Sequence, residues 1–509
     1  MWNDGYMSEI DYLYGYFAEM APIRLKLALL SNGVRHSISD APNYLELGFG
    51  QGLSINIHAV TNRGEFYGTD FNPGQVAHAL ELASATDRDL EIFEESFAQF
   101  AEFSGLPHFD IIAIHGIWSW VSPEARADLV KIMGKHLRPG GAAYISYNVT
   151  PGWSSSIPLR HLLNEFQKRE AVGTIASRVE QSTAFVQKVI DAGAGYFVQN
   201  PIASERLQSI KQQNKNYIAH EYFNTYWNPM PFGDIAAELA EAKLTFGASA
   251  HILDNLHSIS IPAKAMPVLQ SISDPNLFET VRDYFVNQQF RRDIYVKGAR
   301  RLTMPEVMSE VRSMRFMASG GKILVPTEVN TSFGTASLME KIYKPIGDAL
   351  LKSFPDPMTF ASLASSPSVS QINELQVWEA LLVLVSAGFA APVQSDEDIS
   401  QCSSWVKQLN SEICRRAEFS ENVQYLASSK LGSGVHVARL EQLFLKALEL
   451  DSESPAMWAW QALKGQGERI IADGKVLDGD EANLKRVTEL YDEFASNRLA
   501  DLRGLGVAA

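Results

Sequence analysis

The sequence is poor in cysteine, in basic residues relative to acidic ones, and in long apolar runs. Its 509 residues include only Cys402 and Cys414, which lack a Cys-x-x-Cys spacing and paired histidines, so we expect neither a zinc site nor a disulfide framework. The formal charge of −15 disfavours nucleic acid and anionic lipid as partners. The most apolar stretch, 380–393, is too short to span a bilayer, and the first ten residues lack a secretory pattern. These absences predict a cytoplasmic protein without membrane insertion.

The remaining composition is that of a globular chain, with 46% hydrophobic and 20% charged residues. Short apolar or aromatic runs alternate with helical patterns from about 43 to 153, which is typical of a parallel α/β sheet. Long helical patterns follow. We predict an α/β domain at 1–165, a mainly helical α+β domain at 166–330, a winged-helix-like domain at 331–395 and a helical region at 396–509.

The most informative motif is a glycine-rich turn between a predicted strand and a predicted helix. Glu46, Gly48, Phe49, Gly50 and Gly52 occur in the order Glu-Leu-Gly-Phe-Gly-Gln-Gly. Glycines let the backbone turn tightly and approach a ligand at a helix N-terminus. The spacing differs from the dinucleotide fingerprint Gly-x-Gly-x-x-Gly. The acid at the strand end can accept from an ammonium group, which suits the amino-acid moiety of S-adenosylmethionine better than a pyrophosphate.

The second and third predicted strands also end in candidate cofactor residues. Asp70 ends the second strand, where a carboxylate can accept from both ribose hydroxyls, although it could instead cap the helix that begins at Pro73. Phe71 and Asn72 follow it and complete this part of the predicted site. Ser96 and Phe97 end the third strand, where they could border an adenine ring by a hydrogen bond and edge packing.

The fourth and fifth predicted strands end in aromatic and polar residues, at the edge where open α/β sheets bind ligands. His115 is expected to be a cofactor-side or structural polar group rather than a base. Asn148 could orient an acceptor amine through its side-chain carbonyl. Aromatic rings nearby could form the walls of an acceptor channel or could be ordinary core. The candidates here are Gly116 and Ile117 for the cofactor, Trp118, Tyr147 and Asn148 for catalysis, and Trp120 and Trp153 for the channel.

Together with 137–141, Leu-Arg-Pro-Gly-Gly, these motifs resemble class I S-adenosylmethionine-dependent methyltransferases. The stretches 115–121 and 147–153 are similar to bacterial members that carry a methyltransferase regulatory domain, and 220–223 and 227–230 resemble that domain. The resemblance covers most of residues 10–395. It implies a Rossmann-like parallel sheet with helices on both faces, S-adenosylmethionine as cofactor and S-adenosylhomocysteine as product. It further implies a lysine ε-amine of a protein as acceptor, with bacterial outer-membrane proteins, before their export, as the substrates.

Three further features bear on partners and on the cofactor. The third helix of the winged-helix-like part, around 374–386, is almost wholly apolar, which favours packing against protein over reading DNA. The arginine-rich stretch 290–302 is expected to form an ion-pair network or a solvated strand face rather than a binding patch. Tyr16 lies in a tyrosine-rich segment that could cover the cofactor as a lid or could simply cover the sheet edge.

Three functions remain open from the sequence. The first is methyl transfer to protein lysine, an in-line displacement that requires alignment more than a strong base. The second keeps the reaction but uses a small molecule or another protein nitrogen as acceptor. The third is a degenerate methyltransferase that serves as a scaffold, against which the intact cofactor motif argues.

Overall fold

A parallel sheet forms from the strands that the sequence predicts in its first third. The structure, a computed structural model, describes residues 14–472 and 474–508. Each predicted strand is present, and β5 is buried along its whole length, as its continuous apolar run requires. The elements of this part are α1 (Pro22–Ser31), β1 (Val34–Arg35), β2 (Tyr44–Leu47), α2 (Leu53–Thr61), β3 (Phe66–Asp70), α3 (Pro73–Ala83), β4 (Glu91–Glu94), α4 (Phe97–Ala101), β5 (Phe109–Ile114), α5 (Pro123–His136) and β6 (Leu137–Asn148).

Local sequence explains how α5 begins and ends. The Ser122 side chain accepts from the backbone N–H of Ala125, and Pro123 occupies the first helical position. The helix ends at His136, because β6 begins at Leu137 and pairs with β5 there before a bulge.

Helices dominate the next part, but two strands within it join the first sheet. In β8, residues 293–296 are buried, which fits a strand covered on both faces. The elements are α6 (Ile157–Arg169), α7 (Ile175–Asp191), α8 (Gly195–Gln199), α9 (Pro201–Lys211), α10 (Lys215–Phe223), α11 (Phe232–Ala240), β7 (Leu244–Ser249), α12 (His257–Ser260), α13 (Met266–Gln270), α14 (Pro275–Val286), β8 (Phe290–Lys297) and β9 (Arg300–Arg301).

The central sheet therefore has seven strands in the order β4-β3-β2-β5-β6-β8-β7. All neighbours are parallel except β8, which runs antiparallel to both β6 and β7. The parallel-dominant sheet with helices on both faces confirms the predicted fold class. The domain boundary expected at residue 165 does not coincide with a break in the fold, because β7 and β8 come from beyond it and complete the sheet.

Helices and a small sheet follow in the segment that the sequence predicts to be winged-helix-like. Its three-stranded antiparallel sheet has the order β13-β10-β14. The third helix, α18, buries eight residues, including Val377, Trp378 and Leu381, so its apolar surface is used for packing within the protein. The elements are α15 (Met304–Val311), β10 (Arg315–Ala318), β11 (Glu328–Thr331), β12 (Gly334–Ser337), α16 (Glu340–Ser353), β13 (Met358–Thr359), α17 (Phe360–Ala364), α18 (Glu374–Ser386) and β14 (Ala390–Val393).

The last part of the chain packs against α2, so that all nine residues of α2 are buried. Arg63, just after α2, pairs with Glu397 and Asp398 of α19, and Arg88 lies over the ring of Trp405. Within the described ranges, no helix has the length and apolarity needed to cross a membrane. The elements are α19 (Asp396–Arg416), β15 (Tyr425–Ser428), β16 (Ser433–His436), α20 (Arg439–Glu449), α21 (Pro455–Gly465), β17 (Ile471–Ala472), β18 (Lys475–Val476), α22 (Asp480–Glu493) and α23 (Leu499–Gly504).

Candidate cofactor and acceptor site

The glycine-rich turn connects β2 to α2, and each of its glycines has a positive φ. A Cβ on Gly48 would lie 2.6 Å from the Ile117 side chain, and a Cβ on Gly52 would lie 2.4 Å from the Cβ of Ala79. A Cβ on Gly50 would meet no atom within 4 Å. Two glycines thus allow close packing, whereas Gly50 borders open space at the N-terminus of α2, where a ligand can approach the backbone.

Two carboxylates lie beside this turn on neighbouring strands. Glu46 is 4% exposed, and its Oε2 has no hydrogen-bond partner in the described part of the chain. Burial, with a smaller contribution from the charge of Asp70, raises the pKa of Glu46 to about 8. A buried carboxylate without a partner is costly, so this arrangement fits an ammonium group that is supplied from outside.

Asp70 has a different environment, because backbone groups hold it in place. Its carboxylate accepts from the N–H of Gly50 and from the N–H of Asn72, each at 3.0 Å. Burial raises its pKa to about 6, although these hydrogen bonds oppose the shift. The cap of α3 is Asn72, whose side chain accepts from the N–H of Gly74, so Asp70 does not serve as the cap. Asp70 is therefore held at the strand end, beside the glycine-rich turn, by the N–H groups of Gly50 and Asn72.

The other predicted cofactor residues divide between ligand-facing and structural positions. A Cβ on Gly48 would also lie 3.5 Å from the Phe97 ring, so Phe97 and Ile117 both border the turn. Phe49 packs its ring in a small core with Ile55 and Val76, which leaves its backbone as the part that can contact a ligand. Ser96 caps α4 in a reciprocal arrangement with Gln99.

His115 follows β5 and is held from two sides. Its Nδ1 lies 2.9 Å from the hydroxyl of Tyr144, and its ring stacks on Phe17 with the centroids 3.5 Å apart. Burial lowers the pKa of His115 to about 4, so the ring is neutral at pH 7. The next residue, Gly116, donates its N–H to the Ser146 hydroxyl at 2.7 Å. A neutral, locally satisfied imidazole agrees with the expectation that His115 is not a base.

Tyr16 does not lie with the other residues predicted to bind the cofactor. Its hydroxyl accepts from the N–H of Gly434 at 2.6 Å and lies 3.3 Å from Nε2 of His58, so it connects the segment before α1 to the C-terminal part. The neighbouring Phe17 instead covers His115. Tyr16 therefore contacts α2 and β16, and residues 12 and 13 of the tyrosine-rich segment lie outside the described residues, so its contact with the cofactor stays a prediction.

Tyr147 and Asn148 are adjacent in β6 and therefore point to opposite faces of the sheet. Tyr144 lies in the core on the face of α1, whereas Tyr147 lies in the core on the face of α5. Alternation places Asn148 on the same face as Tyr144, together with Glu46 and Asp70. The hydroxyl of Tyr147 donates to Asp293 at 2.5 Å, which occupies its polar group. The catalytic assignment of Tyr147 is therefore corrected to a structural one.

Trp118, which the sequence predicts as a catalytic residue, is also part of the core. It is fully buried on the Tyr147 face of the sheet. The 3-10 turn Trp118–Trp120 nevertheless positions Asn148, because the Ser119 hydroxyl accepts the N–H of Asn148 at 2.9 Å. Sequence reasoning missed this serine, although its position between two tryptophans at a strand end was visible.

The comparisons with known proteins agree with this geometry. Residues 45–141 match the model of a methyltransferase domain, and residues 214–297 match that of a predicted methyltransferase regulatory domain. The uncharacterized protein sll1526 of Synechocystis is 35% identical over an alignment of 510 residues, which covers 100% of both chains. The uncharacterized protein RP789 of Rickettsia prowazekii is 25% identical over 289 residues, which cover 56% of this chain and 51% of that protein.

The chain belongs to the methyltransferases that carry this regulatory domain. Among solved structures, PKMT2 from Rickettsia typhi in complex with AdoHcy superimposes with a TM-score of 0.70, and the match covers 98% of this chain and 99% of that one. The sequence identity is 17%, so this likeness establishes the fold. The regulatory-domain match contains the whole of β7 and β8, which explains why this methyltransferase sheet is complete only with residues beyond 165.

S-adenosylmethionine is the cofactor of this methyltransferase, and the residues present fit it. The unpartnered carboxylate of Glu46 can accept from the ammonium of its amino-acid moiety, and Asp70 can accept from its ribose hydroxyls. The open space at Gly50 allows the ligand to approach the backbone. The apolar side chains of Phe97 and Ile117 provide surfaces against which an adenine ring can pack.

Aromatic rings and arginines adjoin Asn148 on the side of the regulatory segment. The N–H of Met230 donates to the carbonyl of Asn148, which brings Trp227 close to the strand end. Trp227 meets Trp153 edge to face, with the centroids 5.2 Å apart. Arg160 lies 4.8 Å from the Trp227 centroid. Arg206 lies 4.3 Å from the Trp153 centroid, and Arg160 lies 5.9 Å from the Trp120 centroid. Trp120 and Trp153, which the sequence predicts as channel walls or core, thus already have cations near their rings.

Proposed function

We propose that the protein transfers methyl groups from S-adenosylmethionine to lysine ε-amines of a protein substrate, an outer-membrane protein before its export from the cytoplasm. The observation that carries the proposal is the side chain of Asn148. It is 6% exposed and lies at the end of β6 on the same face as Glu46 and Asp70. Within residues 14–472 and 474–508, no group forms a hydrogen bond with the side-chain amide of Asn148. The side-chain oxygen, Oδ1, is therefore available to accept an N–H of an acceptor amine.

The surroundings of Asn148 favour the neutral amine that the reaction requires. A lysine amine has a pKa of about 10.4 in water, so it must lose a proton before it can attack the methyl group. The guanidinium groups of Arg160 and Arg206 and the low polarity of the tryptophan cluster both disfavour an ammonium at this position. The cofactor supplies an electrophilic methyl group, and this chain's residues align the amine and exclude water.

The full-length likeness in fold to PKMT2, which was solved in complex with AdoHcy, supports a site for this cofactor's product. The helical segment α6–α10 and the winged-helix part extend the chain well beyond its sheet, and such surface suits a macromolecular acceptor. The assignment of outer-membrane proteins as acceptors follows from the family resemblance of the motifs at 115–121 and 147–153.

The test is an incubation of the purified protein with S-adenosylmethionine and a lysine-rich outer-membrane protein, followed by peptide mass spectrometry. The proposal expects mass increments of one methyl group on lysine. Methylation of another nitrogen, or of a small molecule from a metabolite pool with the protein acceptor unchanged, would reject lysine as the acceptor and keep the methyltransferase. The Asn148→Ala variant should bind the cofactor normally and lose transfer.

A further inference from the structure

A cavity lies between α14 and β7, in the regulatory segment. It has a volume of about 340 Å³ and shares no residue with the cofactor and acceptor site described above. Its polar wall includes Arg282 and Arg301, and its apolar wall includes Phe246, Phe278 and Ile272. A concave site with an apolar surface and a few converging polar groups is the usual form of a small-molecule site.

Arg282 is the feature that points to a ligand. The residue is 2% exposed, and its Nε has no hydrogen-bond acceptor among the described residues. Its Nη2 lies 3.1 Å from Asp254 and its Nη1 lies 3.7 Å from Glu279, but neither Nε nor Nη2 forms a hydrogen bond with a described residue. A buried N–H without an acceptor is costly, and an oxygen atom of a ligand in the cavity would satisfy it.

Arg301 supplies a second available guanidinium to the same cavity. It is exposed, and it donates to the backbone carbonyl of Asn32 at 2.9 Å. In the described part of the chain, no carboxylate lies within 4 Å of it. The neighbouring Arg300, in contrast, pairs with Glu306 and does not contribute to the cavity. Two guanidinium groups with unused donors favour an oxyanion as the polar end of the ligand.

The charge of the walls limits which oxyanion fits. Asp254 and Glu279 also line the cavity, and their carboxylates are already engaged by arginines and hydroxyl groups. They would repel the second charge of a phosphate dianion more than the single charge of a carboxylate. The phenyl rings of Phe246 and Phe278 require an apolar body next to the charged end.

We propose that this cavity binds a small carboxylic acid with an apolar, ring-sized body, whose carboxylate contacts Arg282 and Arg301. The ligand would also influence β6. Glu279 accepts from Arg291 at 2.7 Å, Arg291 donates to Asp293 at 2.7 Å, and Asp293 accepts from Tyr147, the neighbour of Asn148. A carboxylate at Arg282 changes the partners of Glu279 and hence those of Arg291. This coupling between the cavity and β6 would affect methyl transfer to any acceptor, so it does not depend on which acceptor the protein uses.

The binding test uses benzoate as the probe and calorimetry on the full-length protein. The expected dissociation constant is about 1 mM, since a small ligand gains only a few contacts. Arg301→Gln should weaken binding at least tenfold, and Ser273→Trp, a substitution at the exposed rim, should fill the cavity and abolish it. The matched control Arg300→Gln should bind benzoate as the wild type does.

Three results would overturn the proposal. One is the absence of saturable binding at ten times the expected dissociation constant. Another is benzoate binding that both Arg301→Gln and Ser273→Trp leave unchanged. The last is inorganic phosphate binding more tightly than benzoate, which would reject the carboxylate. Saturating benzoate should also change the rate of methyl transfer in the wild type but not in Ser273→Trp, and no change in the wild type would reject the coupling to β6.

Discussion

The hydroxyl of Tyr16 lies 2.6 Å from the backbone nitrogen of Gly434, 418 positions later in the chain. The segment before α1 is thus fixed to the C-terminal part, and Phe17 follows directly and covers His115. The N–H of Phe17 also donates to the Ser54 hydroxyl in α2 at 3.1 Å. The C-terminal part therefore supports the helix that follows the glycine-rich turn and the segment that covers the strand ends.

Substitutions at Tyr16 and Phe17 should separate these two contributions. Tyr16→Phe removes the acceptor of the Gly434 N–H, and we expect it to lower the free energy of unfolding by about 1–2 kcal/mol with little change in cofactor affinity. Phe17→Ala removes the ring above His115, and we expect weaker binding of S-adenosylhomocysteine at near-normal stability. Urea unfolding and calorimetry measure the two effects, and an affinity loss in Tyr16→Phe that equals that of Phe17→Ala would contradict the assignment.

Cofactor binding should release a proton from Glu46. The pKa of Glu46 is about 8 without a ligand, so the group is mostly protonated at about pH 6.5, where the amino group of S-adenosylhomocysteine carries its proton. The ammonium favours the ionised carboxylate, so binding should release nearly one proton, and affinity should rise as the pH increases toward 8. Calorimetry in buffers of different ionisation enthalpy measures the release.

Two controls identify Glu46 as the source of that proton. Glu46→Gln should abolish the proton release. Methylthioadenosine keeps the nucleoside and lacks the amino-acid moiety, so its binding to the wild type should release no proton. Release that persists in Glu46→Gln would assign the proton to another group, of which Asp70, with a pKa of about 6, is the nearest candidate.

The glycines of the turn should respond differently to alanine. Gly50 and Gly52 both have a positive φ, where an alanine costs about 1–2 kcal/mol. At Gly50 the new methyl group enters open space, so we expect loss of cofactor binding with only this modest loss of stability. At Gly52 it meets Ala79 at 2.4 Å, so we expect a larger loss of stability. Thermal unfolding and calorimetry distinguish the two, and Gly50→Ala with unchanged affinity would argue against a cofactor at this turn.

Adjacent residues in β6 provide a matched pair for catalysis. Asn148→Ala should lower kcat by about 10²-fold at unchanged cofactor affinity, because the acceptor amine loses its orienting group. Tyr147→Phe should keep most of the activity and lose about 1–3 kcal/mol of stability, because the buried carboxylate of Asp293 loses its hydroxyl donor. Steady-state kinetics and urea unfolding measure both variants. A larger kcat loss in Tyr147→Phe than in Asn148→Ala would restore Tyr147 as the catalytic residue.

Sequence patterns sufficed where a local signal determines the structure. The glycine-rich turn, the acids at the ends of β2 and β3, and the winged-helix order were all predictable, because glycine spacing, strand length and helix caps are encoded locally. The interpretation of the arginine-rich stretch as an ion-pair network is confirmed at Arg291, which pairs with Glu279, Asp283 and Asp293.

Prediction failed where the outcome depends on which face or partner a residue meets. Tyr147 and Asn148 were both assigned to the acceptor although strand alternation allows only one of them to face it. Tyr16 was chosen because it lies in a tyrosine-rich segment, and no local pattern reveals its contact with Gly434, which is distant in sequence. The strands β7 and β8 were assigned to a separate domain because a long helical segment precedes them, and only tertiary pairing reveals that they complete the sheet.

The most direct measurement is peptide mass spectrometry of a lysine-rich outer-membrane protein after incubation with the enzyme and S-adenosylmethionine, with the Asn148→Ala variant in parallel. The account predicts increments of one methyl group on lysine with the wild type and almost none with the variant, although both bind the cofactor. Cofactor binding without lysine methylation, or equal methylation by both proteins, would contradict it.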